Sequence, residues 1–479
     1  MSAVALSDLP ITDRLLGAGP AAELVVALGW LALALAALTL ILSLGRRVGM
    51  VLQLRLWGIP EALVAGLLGL LLAPEGPLPL LPERVMTLWA DLPLVLLTLV
   101  FGSLLLGKPL PQLKLLWRPV SAQLSLALML AFGQYVVGGL AVLLVLQPWL
   151  GVSPIMACLI EVAYEGGHGS AAAMGPSYAA LGFPGGQDLG LAMATVGLLS
   201  STLVGGLLVV LGRRRGWLLS CAEGHGAALP QPAATSPATT PDVPANGPAA
   251  WAVNMGLVGV AVGIGVVLLQ LLQTAAAPLG GTAATVVDAL PVFPLAIIGS
   301  LLTRWWLERS GRSHWASAAI QNQVGTLSAD LLITAATAGL NLKLLQADWL
   351  PLTVLALVGL AWNLAVVLLL GPRLLPADWF ERALIEFGQA TGVAASGLLL
   401  LRMADPDDRS DALPAFSIKQ LILQPFVAGG VITVVAPLAV SSWGLPAWSG
   451  FCLAVVVLAG AGGLLLARLQ PAAGGGTAP

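Results

Sequence analysis

Apolar runs of membrane-spanning length, separated by short clusters of Pro, Gly and charge, dominate this sequence and constrain it most. They fall near 21–44, 58–73, 91–107, 120–147, 188–212, 250–273, 289–303, 316–342, 349–371, 414–440 and 446–468. A helix crosses the hydrocarbon of a bilayer with roughly 20 residues. Charge is too scarce for a water-covered surface: 9% of residues are charged and 58% apolar. Soluble domains carry roughly 25% charged residues. A soluble enzyme of 479 residues is excluded. The formal net charge is −2 and no basic tract occurs, so nucleic acid is not an expected partner. Cys158, Cys221 and Cys452 are too scattered to form a metal or disulfide pattern. No nucleophile–base pair or metal set stands out, so neither enzymatic activity nor a cofactor is expected. Asp8 and Asp13 replace the basic start of a signal peptide, and the first apolar run reads as a retained span.

Two segments are wrong for simple spans. Residues 153–175 are apolar but carry Glu161, Glu165 and His168, with Gly166, Gly167, Gly169 and Ser170 around them. Residues 381–403 carry Glu386, Gln389, Thr391, Gly392 and Ser396. An intramembrane carboxylate costs at least ~2.5 kcal/mol on insertion scales. Irregular backbone at that depth survives only inside protein or along a cavity. Both segments read as re-entrant hairpins. They share Leu159-Ile160-Glu161 and Leu384-Ile385-Glu386, each followed by a Gly-and-Ala run. Ile59-Pro60-Glu61 and Leu290-Pro291-Val292 echo each other earlier in the two halves.

Lys and Arg set the orientation. Arg46, Arg47, Arg55, Lys108, Lys114, Arg118, Arg213–Arg215, Arg304, Arg309, Arg312 and Arg373 follow alternate spans. Mainly Glu75, Glu83, Asp91, Asp288 and Asp348 lie at the opposite ends, with Arg14, Arg84 and Lys343 as exceptions. This places the N-terminus outside and the C-terminus in the cytoplasm of a plasma (inner) membrane. Five spans per half then invert the second half relative to the first.

The expected architecture is an all-α polytopic membrane protein. It comprises a first repeat (1–212), a Pro-, Ala- and Thr-rich cytoplasmic linker (213–249), a second, inverted repeat (250–440) and an extra span with a short tail (441–479). Repeats with broken segments near the midplane are a transporter signature.

Several residues have a structural and a functional reading. His168 is a substrate or proton group, or a hydrogen-bonded prop for a turn. Glu161 and Glu386 are paired functional carboxylates or hairpin caps. Gln323, Thr326 and Asp330 share one helical face and form either a pathway stripe or interhelical hydrogen bonds. Thr195 lines a cavity or bonds its own helix. Asn363 reads as interhelical glue. Arg402 reads as an interfacial anchor.

Ile59-Pro60-Glu61, Glu165-Gly166-Gly167-His168-Gly169-Ser170, Met193-Ala194-Thr195-Val196-Gly197-Leu198 and Gly205-Gly206 together resemble the sodium/glutamate symporter family. The resemblance runs over about residues 20–440. It implies Na⁺-coupled symport of glutamate or a similar anionic amino acid by alternating access, in a homodimer embedded in lipid. It departs at Glu386-Phe387-Gly388-Gln389, where the family carries a Gly-His-Cys-Gly type opening, and at the extra C-terminal span. From the residues themselves and the resemblance together, the expected substrate set is Glu165, Gly166, Gly167, His168, Gly169, Ser170, Gln389, Thr391, Gly392 and Ser396. The expected ion-coupling set is Glu161, Thr195, Gln323, Thr326, Asp330 and Glu386. The alternatives are a proton-coupled or exchange transporter of another organic anion, and a channel.

Overall fold

The computed structural model describes residues 20–54, 60–108, 117–219, 247–279, 287, 290–376, 378–406 and 409–469. Asp8, Asp13, Arg14, Arg55, Lys114, Cys221, Asp288 and most of the expected linker, 220–246, lie outside them. All regular structure among the described residues is helical. Among the described residues, eight helices are long and apolar enough to cross a membrane. Their outward side chains suit lipid: Leu207 and Leu458 are 68% and 72% exposed.

The chain divides into two compact units. The first comprises the described residues of Met1–Leu96 with Leu327–Asn341. It holds α1 (Pro20–Val51), α2 (Glu61–Leu72) and most of α3 (Glu83–Leu104). Trp30, Leu38, Ala65, Trp89 and Ala335 share its core. Trp89 is fully buried because its indole N–H finds the Ala34 carbonyl, 2.9 Å away. With 12 residues, α2 spans only about 18 Å, short of a bilayer core.

The second unit comprises Leu97–Thr326 and Leu342–Pro479. The helix α4 (Trp117–Ala141) runs through a π turn, Val142–Leu146, into Gln147–Leu150. Pro148 has no N–H for the usual helical bond, and the wider turn bridges the defect. Three short helices follow: α5 (Leu159–Tyr164), α6 (Gly167–Ala173) and α7 (Gly175–Ala180). Next come α8 (Gly186–Arg215), α9 (Pro248–Ala276), α10 (Phe293–Arg309), α11 (Ala318–Ala338) and α12 (Leu342–Ala347). The last three residues of the Leu327–Asn341 segment aside, α11 thus begins in the second unit and continues into the first.

The helix α13 (Trp349–Ala365) repeats the device of α4. A π turn, Val366–Leu370, leads into Gly371–Leu374, which carries Pro372. Then come α14 (Trp379–Ala404), α15 (Ala412–Leu423), α16 (Val431–Trp443) and α17 (Leu445–Leu469).

Two elements depart from simple rods. In α14, Gly392 and Val393 are non-helical and the chain doubles back. A methyl group on Gly388 would lie 2.4 Å from the Gly397 Cα, so the two half-helices touch backbone to backbone. The run read from sequence as one span, 414–440, is two helices. Pro425 and the Gly429-Gly430 pair end α15 and restart the chain as α16.

Candidate functional site

The second unit brings three interruptions of helix together: Glu165–Gly167 between α5 and α6, Gly392–Val393 within α14, and Ala428–Gly430 before α16. Gly167 has φ +70°, where a side chain is disfavoured. A methyl group there would lie 2.4 Å from Val393 Cγ1, so the first two breaks meet tip to tip. A methyl group on Gly429 would lie 2.5 Å from Ser170 Oγ, which brings in the third.

Neutral donors hold the first carboxylate. Glu161 is fully buried. Its Oε1 accepts the Ala428 N–H at 3.1 Å and the Thr433 hydroxyl at 2.9 Å. Its Oε2 accepts the Tyr135 hydroxyl. Glu161 thereby ties α5 to α4 and to the start of α16. Four residues on, Glu165 is also buried, and its Oε2 has no hydrogen-bond partner among the described residues. The hydroxyl of Ser170 is buried and unpartnered as well. Buried polar atoms are satisfied almost everywhere in proteins, so unfilled oxygens mark where a ligand, ion or water belongs.

A cation holds the second carboxylate. Glu386 is buried, and its Oε2 lies 2.9 Å from the ammonium of Lys419 on α15. Its Oε1 accepts from Gln123 Nε2 at 2.8 Å. The same ammonium donates to Gln389 Oε1 at 3.0 Å and Gln420 Oε1 at 2.9 Å. Glu165 lies within Coulombic reach of Glu161, Lys419 and Glu386.

The break in α14 is held from outside. Asn363 Nδ2 donates to the Ala390 carbonyl at 2.9 Å and to Thr391 Oγ1 at 3.0 Å. Gln134 Nε2 adds a bond to the Ala390 carbonyl at 2.6 Å. Asn363 therefore does more than join two spans, since it takes up a carbonyl and a hydroxyl freed at the break. Ser201 Oγ donates to the Gly388 carbonyl at 3.1 Å. Ser396 Oγ turns back to the Gly392 carbonyl. The half of α14 after the break restarts at a partly open position, with Ala395 exposed and Val393 and Ala394 half-buried. The first-turn N–H groups of a restarting helix lack intrahelical acceptors.

The sequence-derived residues fall into three groups. Glu161, Glu165, Gly166, Gly167, His168, Gly169, Ser170, Glu386, Gln389, Thr391, Gly392 and Ser396 lie on the broken segments of the second unit. His168 is buried, with Nε2 3.0 Å from Thr195 Oγ1 on α8, and Thr195 also donates to the Leu191 carbonyl at 3.0 Å. Gln323 and Thr326 are exposed on α11 in the second unit. Asp330 lies in the first unit, paired with Arg46 at 2.7 Å. Arg402 is exposed. Sequence reasoning missed Tyr135, Gln123, Gln134, Thr433 and Lys419. Lys419 had a legible signal, as a charge within an apolar run.

Many apolar spans with buried charge at broken helices mark a membrane protein of the transport class. A sequence model of the sodium/glutamate symporter family matches residues 30–379, and the chain belongs to that family. No curated protein sequence matches it significantly. The family match ends at Trp379, so the broken half-helices of α14 and all of α15 and α16 follow it.

Proposed function

We propose that the protein is a Na⁺-coupled symporter of glutamate or a similar anionic amino acid, working by alternating access with the interrupted helices as its binding site. One observation carries the reading. Within the cluster of the second unit three carboxylates (Glu161, Glu165 and Glu386) are buried, and among the described residues only Glu386 is paired with a cation, the Lys419 ammonium. Uncompensated buried charge costs several kcal/mol per ion. A cation near the unfilled Glu165 Oε2 and Ser170 Oγ relieves that deficit. Carboxylate, hydroxyl and freed carbonyl oxygens are the donors such a cation takes. The exposed start of the second half of α14 suits a substrate carboxylate, because first-turn N–H groups attract negative charge. Cation and anion bound side by side stabilise each other, which is the coupling that symport requires.

Features of the fold support inverted repeats. Each half carries a long helix ending in a π turn, then a Pro-containing helical turn, then a broken segment bearing Leu-Ile-Glu. The doubling back at Gly388 and Gly397 supports reading α14 as a re-entrant hairpin rather than a span. An N-terminus outside, residence in the plasma membrane and homodimerisation belong to the same proposal.

A second reading is proton coupling, with Glu165 as the proton carrier. It draws on the same unpartnered Oε2, since a neutral carboxyl needs no counter-ion. Uptake into proteoliposomes separates the two. Accumulation of radiolabelled L-glutamate driven by a Na⁺ gradient, and not by a pH gradient with K⁺ in place of Na⁺, supports the first reading. Accumulation driven by the pH gradient alone supports the second.

A further inference from the structure

The Lys419 ammonium is bound as a free cation would be bound. It is completely buried. Its three protons meet three oxygens, Glu386 Oε2 at 2.9 Å, Gln389 Oε1 at 3.0 Å and Gln420 Oε1 at 2.9 Å. The Phe416 ring closes the remaining side, with Nζ 4.4 Å from its centroid. Two of the oxygens come from the first half of α14 and one from α15. An ammonium carries three donors and no acceptor, so this shell is complete. Gln123 fills the other oxygen of Glu386. An ion pair alone needs only the carboxylate. Two amide oxygens turned inward onto the same nitrogen make a coordination shell.

We propose that these oxygens form a monovalent-cation site between α14 and α15, permanently filled by the protein's own Lys419. The tethered ammonium locks the first half of α14 to α15 whether or not any free ion is bound. It adds a fixed positive charge that is never released to either side of the membrane. Its bearing on the transport cycle rests on the symport reading: the clamp needs no ion from solution here, whereas among the described residues no cation is hydrogen-bonded to Glu161 or Glu165. The cation site itself stands without that reading.

Removing the tether tests the site without measuring transport. Full-length wild type, K419A and K419A/E386Q are purified in detergent, and thermal unfolding is followed in choline, sodium and ammonium chloride. Ammonium is the probe nearest to the deleted head group. K419A keeps all the oxygens and loses their occupant. Its unfolding midpoint in ammonium or sodium rises over that in choline by about 5 °C more than the wild-type rise. K419A/E386Q, which lacks the anionic oxygen, loses that excess. A K419A protein whose cation response equals that of wild type overturns the proposal. So does an excess that survives in K419A/E386Q, because Glu386 would then not be a ligand. A K419A protein that folds in none of the three salts also overturns it, because the vacated oxygens would have refused a free cation. Uptake is not read, so failure of the symport proposal leaves this result intact.

Discussion

The two broken segments carry the same Leu-Ile-Glu sequence and solve the problem of its carboxylate differently. Around Glu161 the donors among the described residues are neutral: a phenol, a hydroxyl and a backbone N–H. Around Glu386 one donor is an ammonium and the other an amide. Two segments of like sequence can therefore keep a carboxylate while changing what balances it. Among the described residues, no cation is hydrogen-bonded to the Glu161 carboxylate, and the unpartnered Glu165 oxygen lies one helical turn on. The second is balanced internally. On the proposed reading a mobile cation has its place on the first side, and the second side acts as a fixed clamp.

Breaking the clamp has the largest expected effect. Glu386→Ala strands Lys419 as a buried unpaired ammonium, and about 3–5 kcal/mol of stability is lost. Thermal unfolding of the purified protein measures this. Glu161→Gln is milder, because only neutral donors lose their acceptor, and about 1–3 kcal/mol is expected. Equal losses for the two variants would abolish the contrast.

Gly167→Ala probes the point where the segments meet. Its left-handed backbone and the approach of Val393 predict a loss of about 1–3 kcal/mol. Gly206→Ala, on a helix with nothing within 4 Å of the added methyl, is the control and leaves stability essentially unchanged.

The smallest effect lies just past the second segment, at Asp405. Partial burial works to raise its carboxyl, but the N–H groups of Arg409 and Ser410 and the charge of Arg409 outweigh that and hold it below the usual carboxylate range. Its contribution is present above the unfolded value, about 3.9, and is lost as pH falls through the lower folded value. Asp405→Asn removes that acid-range dependence. The change at neutral pH stays below about 1 kcal/mol for so exposed a group. Unfolding midpoints from pH 7 down to the acid limit of the fold measure both.

The long helices were legible because apolar runs of that length leave few alternatives. The broken segments were legible because carboxylates and glycines interrupt such runs. The partners of those carboxylates were not, since nothing local links Glu386 to Lys419 or Glu161 to Thr433. The break before α16 had a signal in Pro425 and Gly429-Gly430, masked by the apolar residues on both sides. The face shared by Gln323, Thr326 and Asp330 followed from helical spacing, but spacing does not identify neighbours. Asp330 pairs with Arg46, 284 residues away in sequence. The π turns after α4 and α13 follow from Pro148 and Pro372, whose paired positions support the proposed repeat more than the apolar matches do.

The central claim is that a cation bound beside Glu165 drives uptake. The direct test is radiolabelled L-glutamate uptake into proteoliposomes under an inward Na⁺ gradient, comparing wild type with Glu165→Gln. The account predicts concentrative, Na⁺-dependent uptake by wild type. It predicts a half-saturating Na⁺ concentration at least about tenfold higher in the variant, equivalent to about 1.4 kcal/mol of lost cation binding. The variant should keep near-wild-type stability, because the altered oxygen has no protein partner to lose. Unchanged Na⁺ dependence in folded Glu165→Gln protein would contradict the account.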